Sequence, residues 1–311
     1  MRYIFKISTI VIFLTVFAVI LLLLPFGSAP NVIGTNYRNV TVWTYVNITN
    51  SRPEVTGISI YDADNASLPN ITVTAGGVKS VVCNASVRDW NGFNDIVSAN
   101  ATLYYSLNQS NDSDDNNTHY TNSSCVLNYS IDAYSGIYSC AFVVYYYANN
   151  GTWKCNVTVK DSYSNPNSSG TGGNTTYFYP VYALNVTDGI NYGNVAVEEY
   201  SDNRTANLSN LGNTAINISV EGYGINRSDG LAMNCTHGNI SVANERFSAN
   251  ATTDFGSKIA LSSSSSVIAG LKILKQTTNT LAINVTYWQL YVPPNPAGNC
   301  TGFIIFSAGA P

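Results

Sequence analysis

Short runs that alternate β-branched or aromatic residues with polar ones recur along the chain. Successive side chains of a strand point to opposite faces, so this alternation predicts half-buried strands. The runs are residues 40–46 (VTVWTYV), 80–87 (SVVCNASV), 140–147 (CAFVVYYY), 152–159 (TWKCNVTV), 216–220 and 283–292. We predict turns between them at Asn91-Gly92, Ser135-Gly136 and Asn150-Gly151. Short strands punctuated in this way predict an all-β fold of antiparallel β-sandwiches.

The N-terminus combines a basic end with a long apolar run. Arg2 and Lys6 precede residues 7–26, which contain only three hydroxyl residues among apolar ones. A helix of that length covers about 30 Å, the thickness of a bilayer's hydrocarbon core. We predict that residues 1–29 form a signal anchor whose transmembrane helix binds the membrane through residues 7–26 and leaves the C-terminal part outside the cell. A cleaved signal peptide ending at Gly27-Ser28-Ala29, and hence a secreted protein, is the alternative.

Asparagine-linked glycosylation sequons are unusually dense. The 40 asparagines and 61 serines and threonines would generate about eight Asn-x-Ser/Thr sequons by chance, whereas the chain has 25. Strand alternation alone can place polar residues in this pattern, but the excess favours a densely glycosylated surface. The sites we predict are Asn39, Asn47, Asn84, Asn100, Asn128, Asn156, Asn185, Asn217, Asn239, Asn284 and Asn299.

The six cysteines form an even set, which in an exported chain predicts disulfides. No Cys-x-x-Cys occurs, so a structural zinc site is disfavoured. Four cysteines have a sequon asparagine as a direct neighbour, in Cys83-Asn84, Cys155-Asn156, Asn234-Cys235 and Asn299-Cys300. On a strand each such pair would direct its cysteine into a core and its asparagine into solvent.

The exported part divides near a segment rich in Ser, Gly and Asn. Residues 162–176 contain few apolar side chains and suit a linker or a long loop. Strand patterns continue on both sides of this segment. We therefore predict one Ig-like β-sandwich over residues 30–170 and a second β-sandwich over residues 171–311.

Several segments resemble Ig-like domains of archaeal surface proteins. The resemblance lies in residues 136–142 (GIYSCAF), 147–161 (YANNGTWKCNVTVKD) and 87–96 (VRDWNGFNDI), while residues 287–306 are similar to the closing hairpin of β-sandwich modules in exported archaeal proteins. This likeness implies a surface location and a disulfide between Cys83 and Cys155, with Trp153 two residues before the second cysteine. We pair Cys125 with Cys140 and Cys235 with Cys300 as the remaining bridges.

Two polar runs could bind metal. Asp89, Asn91, Asn94 and Asp95 surround Gly92 as hard oxygen ligands and could hold calcium, although their spacing is not that of an EF-hand and a plain turn is the alternative. The second run is Asp112, Asp114, Asp115, Asn116 and Asn117, for which a solvated loop is the alternative to a metal site. We expect no cofactor other than calcium.

The titratable residues offer little for catalysis. The chain has two histidines, His119 and His237, and no Gly-x-Ser-x-Gly motif. Its net charge of −4 with only 14 basic residues disfavours nucleic acid binding. We therefore expect a non-enzymatic, membrane-anchored glycoprotein with a structural or adhesive role at the cell surface, whose partners are other surface proteins or glycans. A secreted glycan-binding or cell-binding module, a filament subunit and an exported hydrolase are the alternatives.

Overall fold

The computed structural model describes residues 41–66, 70–163, 166–168 and 175–311. The predicted membrane segment 7–26, the cleavage site 27–29 and Asn39 lie outside the described residues. Within the described ranges, no helix is long and apolar enough to cross a membrane. The chain divides into two units, residues 1–49 and residues 50–311, and the second unit contains two hydrophobic cores.

The first core lies between two antiparallel sheets. One sheet has the order β1-β2-β6-β5, and the other has the order β4-β3-β7-β8, with β9 pairing β7 as well. The strands are β1 (Glu54–Asp62), β2 (Val78–Arg88), β3 (Ile96–Tyr105), β4 (His119–Asn122), β5 (Val126–Ser130), β6 (Ser135–Tyr145), β7 (Gly151–Asp161), β8 (Pro166–Ser168) and β9 (Thr175–Phe178). A 3₁₀ turn, Phe93–Asp95, precedes β3.

Alternation along β2 and β7 builds this core. Every second residue of β2 from Val81 to Val87 is buried, and β7 buries Trp153, Cys155 and the valines that follow. The Trp153 ring is fully buried and stacks on Phe178 with a centroid separation of 4.8 Å. The predicted all-β, antiparallel sandwich architecture is confirmed.

The second core lies among three further sheets, ordered β10-β11-β18-β15-β16, β17-β12-β20 and β14-β13-β19. The strands are β10 (Leu184–Val186), β11 (Arg204–Asn210), β12 (Ile216–Tyr223), β13 (Leu231–His237), β14 (Asn239–Ser241), β15 (Glu245–Ser248), β16 (Ile259–Ala260), β17 (Ser266–Ile273), β18 (Asn284–Leu290), β19 (Ala297–Thr301) and β20 (Phe303–Gly309). Two 3₁₀ turns, Val242–Asn244 and Phe255–Ser257, flank β15.

The two cores meet within the sequence near residue 180. Phe178 belongs to the first core and Val181 packs against it, whereas Leu184 packs against the second. The segment predicted as a linker, residues 162–176, includes β8 and the start of β9, both paired with β7. Part of that segment therefore extends a sheet of the first sandwich.

Two local predictions are wrong. Residues 41–46 form no strand, although their alternation predicted one, and their side chains are exposed. Alternation specifies a face, but a strand also needs a partner for its backbone groups. Ser135-Gly136 is not a turn but the start of β6, because the chain reverses at residues 131–134. Gly136 packs closely there, since a Cβ would lie 3.1 Å from Cδ1 of Leu127.

The C-terminal segment is not a closing hairpin. β18 pairs with β11 and β15, whereas β20 pairs with β12 in another sheet. β19, which lies between β18 and β20 in sequence, pairs with β13 in a third sheet. The chain therefore passes from one sheet to another twice after Leu290. Side-chain alternation does not specify which sheet a strand joins.

Candidate functional site

Three disulfides cross-link the strands, and they are the pairs proposed from the sequence. Cys83–Cys155 joins the two sheets of the first sandwich, Cys125–Cys140 joins β6 to the start of β5, and Cys235–Cys300 joins β13 to β19. Cys83 and Cys155 are buried within the first core. Disulfides of this number are typical of proteins exported to oxidising compartments.

The sequon asparagines reach the surface. In the described part of the chain none of them is buried, and Asn47, Asn100, Asn128, Asn185, Asn239 and Asn299 are exposed while Asn84, Asn156, Asn217 and Asn284 are half-buried. Beside the cysteines the predicted register holds: Cys83 is fully buried, and its neighbour Asn84 is half-buried. Glycan attachment needs such access, so the geometry suits the predicted modification.

The Asp89–Asp95 loop is held by its own polar groups. Oδ1 of Asp89 accepts from the backbone N–H of Asn91 at 2.9 Å, and Oδ1 of Asn91 accepts from the N–H of Ser51. Asn94 is exposed on the loop. The bond between Asp89 and Asn91 is that of an Asx turn, and it matches the plain-turn alternative.

Buried carboxylate oxygens nevertheless remain unpaired beside this loop. Asp89 is fully buried, and neither its Oδ2 nor Oδ1 of Asp95 has a hydrogen-bond partner among the described residues. Burial, followed by the negative charges of Asp89 and Asp161, raises the pKa of Asp95. Among the described residues, no group of three or more His, Cys, Asp or Glu side chains is arranged to hold a metal ion. Calcium binding here stays a prediction.

The second polar run, residues 112–117, is a loop with a partly buried end. Asp112 accepts from the N–H of Gln109 at 2.9 Å, and Asp115 accepts from the N–H of Asn117 at 2.8 Å. His119, at the start of β4, is buried with Nδ1 2.9 Å from Asp114. The histidine is thus a structural side chain packed under the loop.

Asn117 connects this loop to the second sandwich, a role that the sequence did not indicate. Its Oδ1 accepts from Nζ of Lys275 at 2.6 Å, and its Nδ2 donates to the carbonyl of Thr277 at 2.6 Å. Lys275 also donates to the carbonyl of Tyr147 at 2.9 Å, and the hydroxyl of Tyr146 donates to Gln276. Because these contacts join residues more than 125 positions apart, only the tertiary fold brings them together.

A cavity of about 340 Å³ opens in the second sandwich. Glu245 at the start of β15 lines it and is buried, and Oε1 of Glu245 accepts from the hydroxyl of Tyr192 at 2.7 Å. Burial raises the pKa of Glu245 to about 7, against an opposing effect of the Tyr192 hydrogen bond. The remaining walls combine polar residues, Thr187 and Asp188, with apolar ones, Val186, Ile190, Ala232, Met233, Phe303, Ile304 and Phe306.

β20 borders this cavity as an edge strand. It pairs with β12 from Phe303 to Gly309, and none of its seven residues is buried. Gly302 lets the strand begin close against β13, since a Cβ at that position would lie 1.7 Å from the carbonyl oxygen of Ala232. The cavity and the edge strand together form a groove on the second sandwich, in which apolar side chains of β20 lie beside polar groups such as Asp188 and Glu245.

No protein-family model matches the chain, and no curated protein matches it. Among solved structures it is similar to the CsuC-CsuE chaperone-tip adhesion subunit complex of archaic chaperone-usher Csu pili from Acinetobacter baumannii, at 12% identity and a TM-score of 0.39 over 77% of this chain and 96% of that chain. The C-terminal domain of the Streptococcus agalactiae AgI/II polypeptide BspA is 12% identical, with a TM-score of 0.24 over 82% and 95% of the two chains. Fibronectin(III)-like modules of Clostridium thermocellum CbhA are 12% identical, with a TM-score of 0.20 over 80% and 93%. At these TM-scores the likenesses identify neither a family nor an activity.

Proposed function

We propose that this protein is a non-enzymatic glycoprotein of the cell surface with a structural or adhesive role, anchored in the membrane through residues 7–26. The observation that carries the proposal is the alternation of cross-links and sequons on the same strands. Cysteines enter the cores while asparagines such as Asn84 and Asn156 reach the surface. Disulfides cross-link the strands of such a chain, and its surface can carry glycans.

The titratable groups support a role without catalysis. His119 is buried against Asp114, and the buried Glu245 is engaged by the hydroxyl of Tyr192. Each of these side chains already has a structural partner. In this proposal the outer faces of the protein carry its function by contacting partner molecules.

Native material tests this proposal. Protein recovered from its own cells is expected in the envelope fraction, to be removed by protease added outside intact cells, and to exceed the polypeptide mass by many glycans. An Asn100→Gln variant should lose one glycan mass, whereas Asn91→Gln, outside any sequon, should lose none. Unmodified protein inside the cell would overturn the proposal.

The anchor is tested separately by sequencing the mature N-terminus. Retention of residues 7–26 supports the anchored form. A start at Pro30 would favour the secreted alternative, a soluble binding module or filament subunit, while leaving the surface role intact.

A further inference from the structure

A strand-like segment lies ahead of the first sandwich. Residues 40–48 read VTVWTYVNI, so a two-residue period divides their side chains between two faces. The even-numbered face carries Val40, Val42, Thr44, Val46 and Ile48, all of them β-branched. The odd-numbered face carries Trp43 and Tyr45 together with Asn47, which is a sequon asparagine. One face therefore suits a core and the other suits a glycosylated surface.

The described part of this segment, residues 41–48, is not part of a strand. No strand is assigned in the described residues from 41 to 53. Val42, Val46 and Ile48 are 73%, 79% and 80% exposed. β-Branched residues at alternate positions favour a strand when a neighbouring strand pairs with them and covers one face.

β20 is the matching open edge. Among the described edge strands of six or more residues, β1 and β17 have register shifts in their pairing, whereas β20 pairs with β12 without one. β20 (FIIFSAG) contains no charge, no proline and no sequon. The shorter edge strand β5 has both a register shift and the sequon at Asn128. Proteins normally protect open edges by such devices, and β20 lacks them.

The groove beside β20 can receive apolar side chains. Ile304, Phe306 and Ala308 pack against the second core but stay partly exposed, and Phe303 is 55% exposed. The cavity of about 340 Å³ continues this surface between β20 and the residues after β10. A strand added at this edge would cover apolar side chains that the chain by itself leaves open to solvent.

We propose that residues 40–48 of one copy of this chain add as a strand to the open edge of β20 in a second copy. The even-numbered side chains would cover the groove, and the odd-numbered face, with the sequon asparagine Asn47, would point to solvent. The proposal rests on the proposed surface function and specifies its partner. Because donor and acceptor are different surfaces, the contact is heterologous, and it extends into a linear chain of copies unless the rotation between copies closes a ring.

Paired variants of the full chain test the donor segment. Wild-type protein should form linear assemblies in electron micrographs and in light scattering. Val42→Asp with Val46→Asp places two charges on the groove-facing side and should reduce assembly at least tenfold. Tyr45→Asp, the matched control on the opposite face, should assemble as the wild type does. Assembly of the double variant at the wild-type level, or a wild type that stays monomeric at every concentration, would overturn the proposal.

Mixed-isotope cross-linking tests the acceptor. A photoreactive benzoylphenylalanine replaces Thr44, and light and ¹⁵N-labelled copies are mixed before irradiation. Cross-links between light and heavy chains at residues 303–309 are expected. Cross-links confined to single chains, or directed to β5, would overturn the proposal.

Surface location and glycan mass are measured on the same variants. If the protein is at the surface and carries glycans but the Val42 and Val46 substitutions do not change its assembly, only the strand-addition proposal fails. If glycans and surface exposure are absent, the proposed function itself fails.

Discussion

Nζ of Lys275 lies 2.6 Å from Oδ1 of Asn117, and this hydrogen bond ties the second sandwich to a loop of the first. The same amine donates to the carbonyl of Tyr147 at 2.9 Å. Asn117 is buried and Lys275 is half-buried, so the bond is partly screened from water. It makes the contact between the two cores a defined polar junction.

Removing that amine should weaken the folded state. Lys275→Met would leave the acceptors on Asn117 and Tyr147 unpaired and is expected to lower the free energy of unfolding by about 1–3 kcal/mol near pH 10, where the amine of the folded state is neutral and its removal relieves no buried charge. Chemical denaturation measures the loss. Lys272→Met, an exposed lysine on β17, is the control and should change stability little. Equal effects of the two substitutions would contradict a specific role for the junction.

The same lysine predicts a pH dependence. Burial lowers the pKa of Lys275 from 10.5 to about 8. The unfolded chain therefore binds the proton more tightly, and this group makes stability rise as the pH increases from about 8 towards 10.5. Unfolding curves at pH 8 and 9.5 should show a smaller rise for Lys275→Met than for Lys272→Met. An identical rise would show that another group titrates instead.

Glu245 predicts the opposite trend at lower pH. Burial raises its pKa from 4.5 to about 7, so the folded state holds the proton more tightly and this group makes stability fall as the pH rises through that window. Glu245→Gln keeps an acceptor for Tyr192 and should be more stable than the wild type above pH 7, by up to about 3 kcal/mol, since one pKa unit corresponds to about 1.4 kcal/mol.

Glu221→Gln is the control for that substitution. Glu221 pairs with Arg227 at 2.9 Å near the surface, and losing such a pair costs about 1 kcal/mol or less. Thermal unfolding at pH 5 and pH 8 compares the variants. A Glu245→Gln protein that is less stable than the wild type at pH 8 would contradict the assigned cost of burying the carboxylate.

The disulfides should differ in their contributions. Cys83–Cys155 closes 72 positions of sequence and Cys125–Cys140 closes 15. Loop-closure entropy then assigns about 4.5 and 3 kcal/mol to them. Replacing each pair by alanine should lower the denaturation midpoint more for Cys83–Cys155, which also loses buried contacts. A larger loss for Cys125–Cys140 would contradict this ranking.

The calcium hypothesis can be tested against the plain turn at one residue. Burial and the charges of Asp89 and Asp161 raise the pKa of Asp95, so Asp95→Asn should relieve repulsion and raise the melting temperature at pH 7 in the absence of metal. Calcium that raises the wild-type melting temperature but not that of Asp95→Asn would support a site. No response to calcium in either protein would favour the turn. Asp132→Asn, on the exposed loop after β5, is the control.

Local pattern determined much of this protein. Alternation identified β2, β7 and β12 because the side-chain period of a strand is a property of the strand itself. It also set which cysteines face a core, and the even set of six in an exported chain indicated disulfides. The same reasoning failed at residues 41–46, where the alternation is present but the structure contains no strand.

Tertiary structure decided the features that depend on residues far apart in sequence. β18 and β20 are separated in sequence only by β19, yet they enter different sheets because pairing depends on the partner strand. Nothing near Glu245 in sequence marks it as buried, since Tyr192, its partner, lies 53 positions away. Likewise the open edge of β20 exists only because of how the sheet of β12 is assembled. Periodicity is local, whereas burial, hydrogen-bond partners and free edges depend on how the whole chain packs.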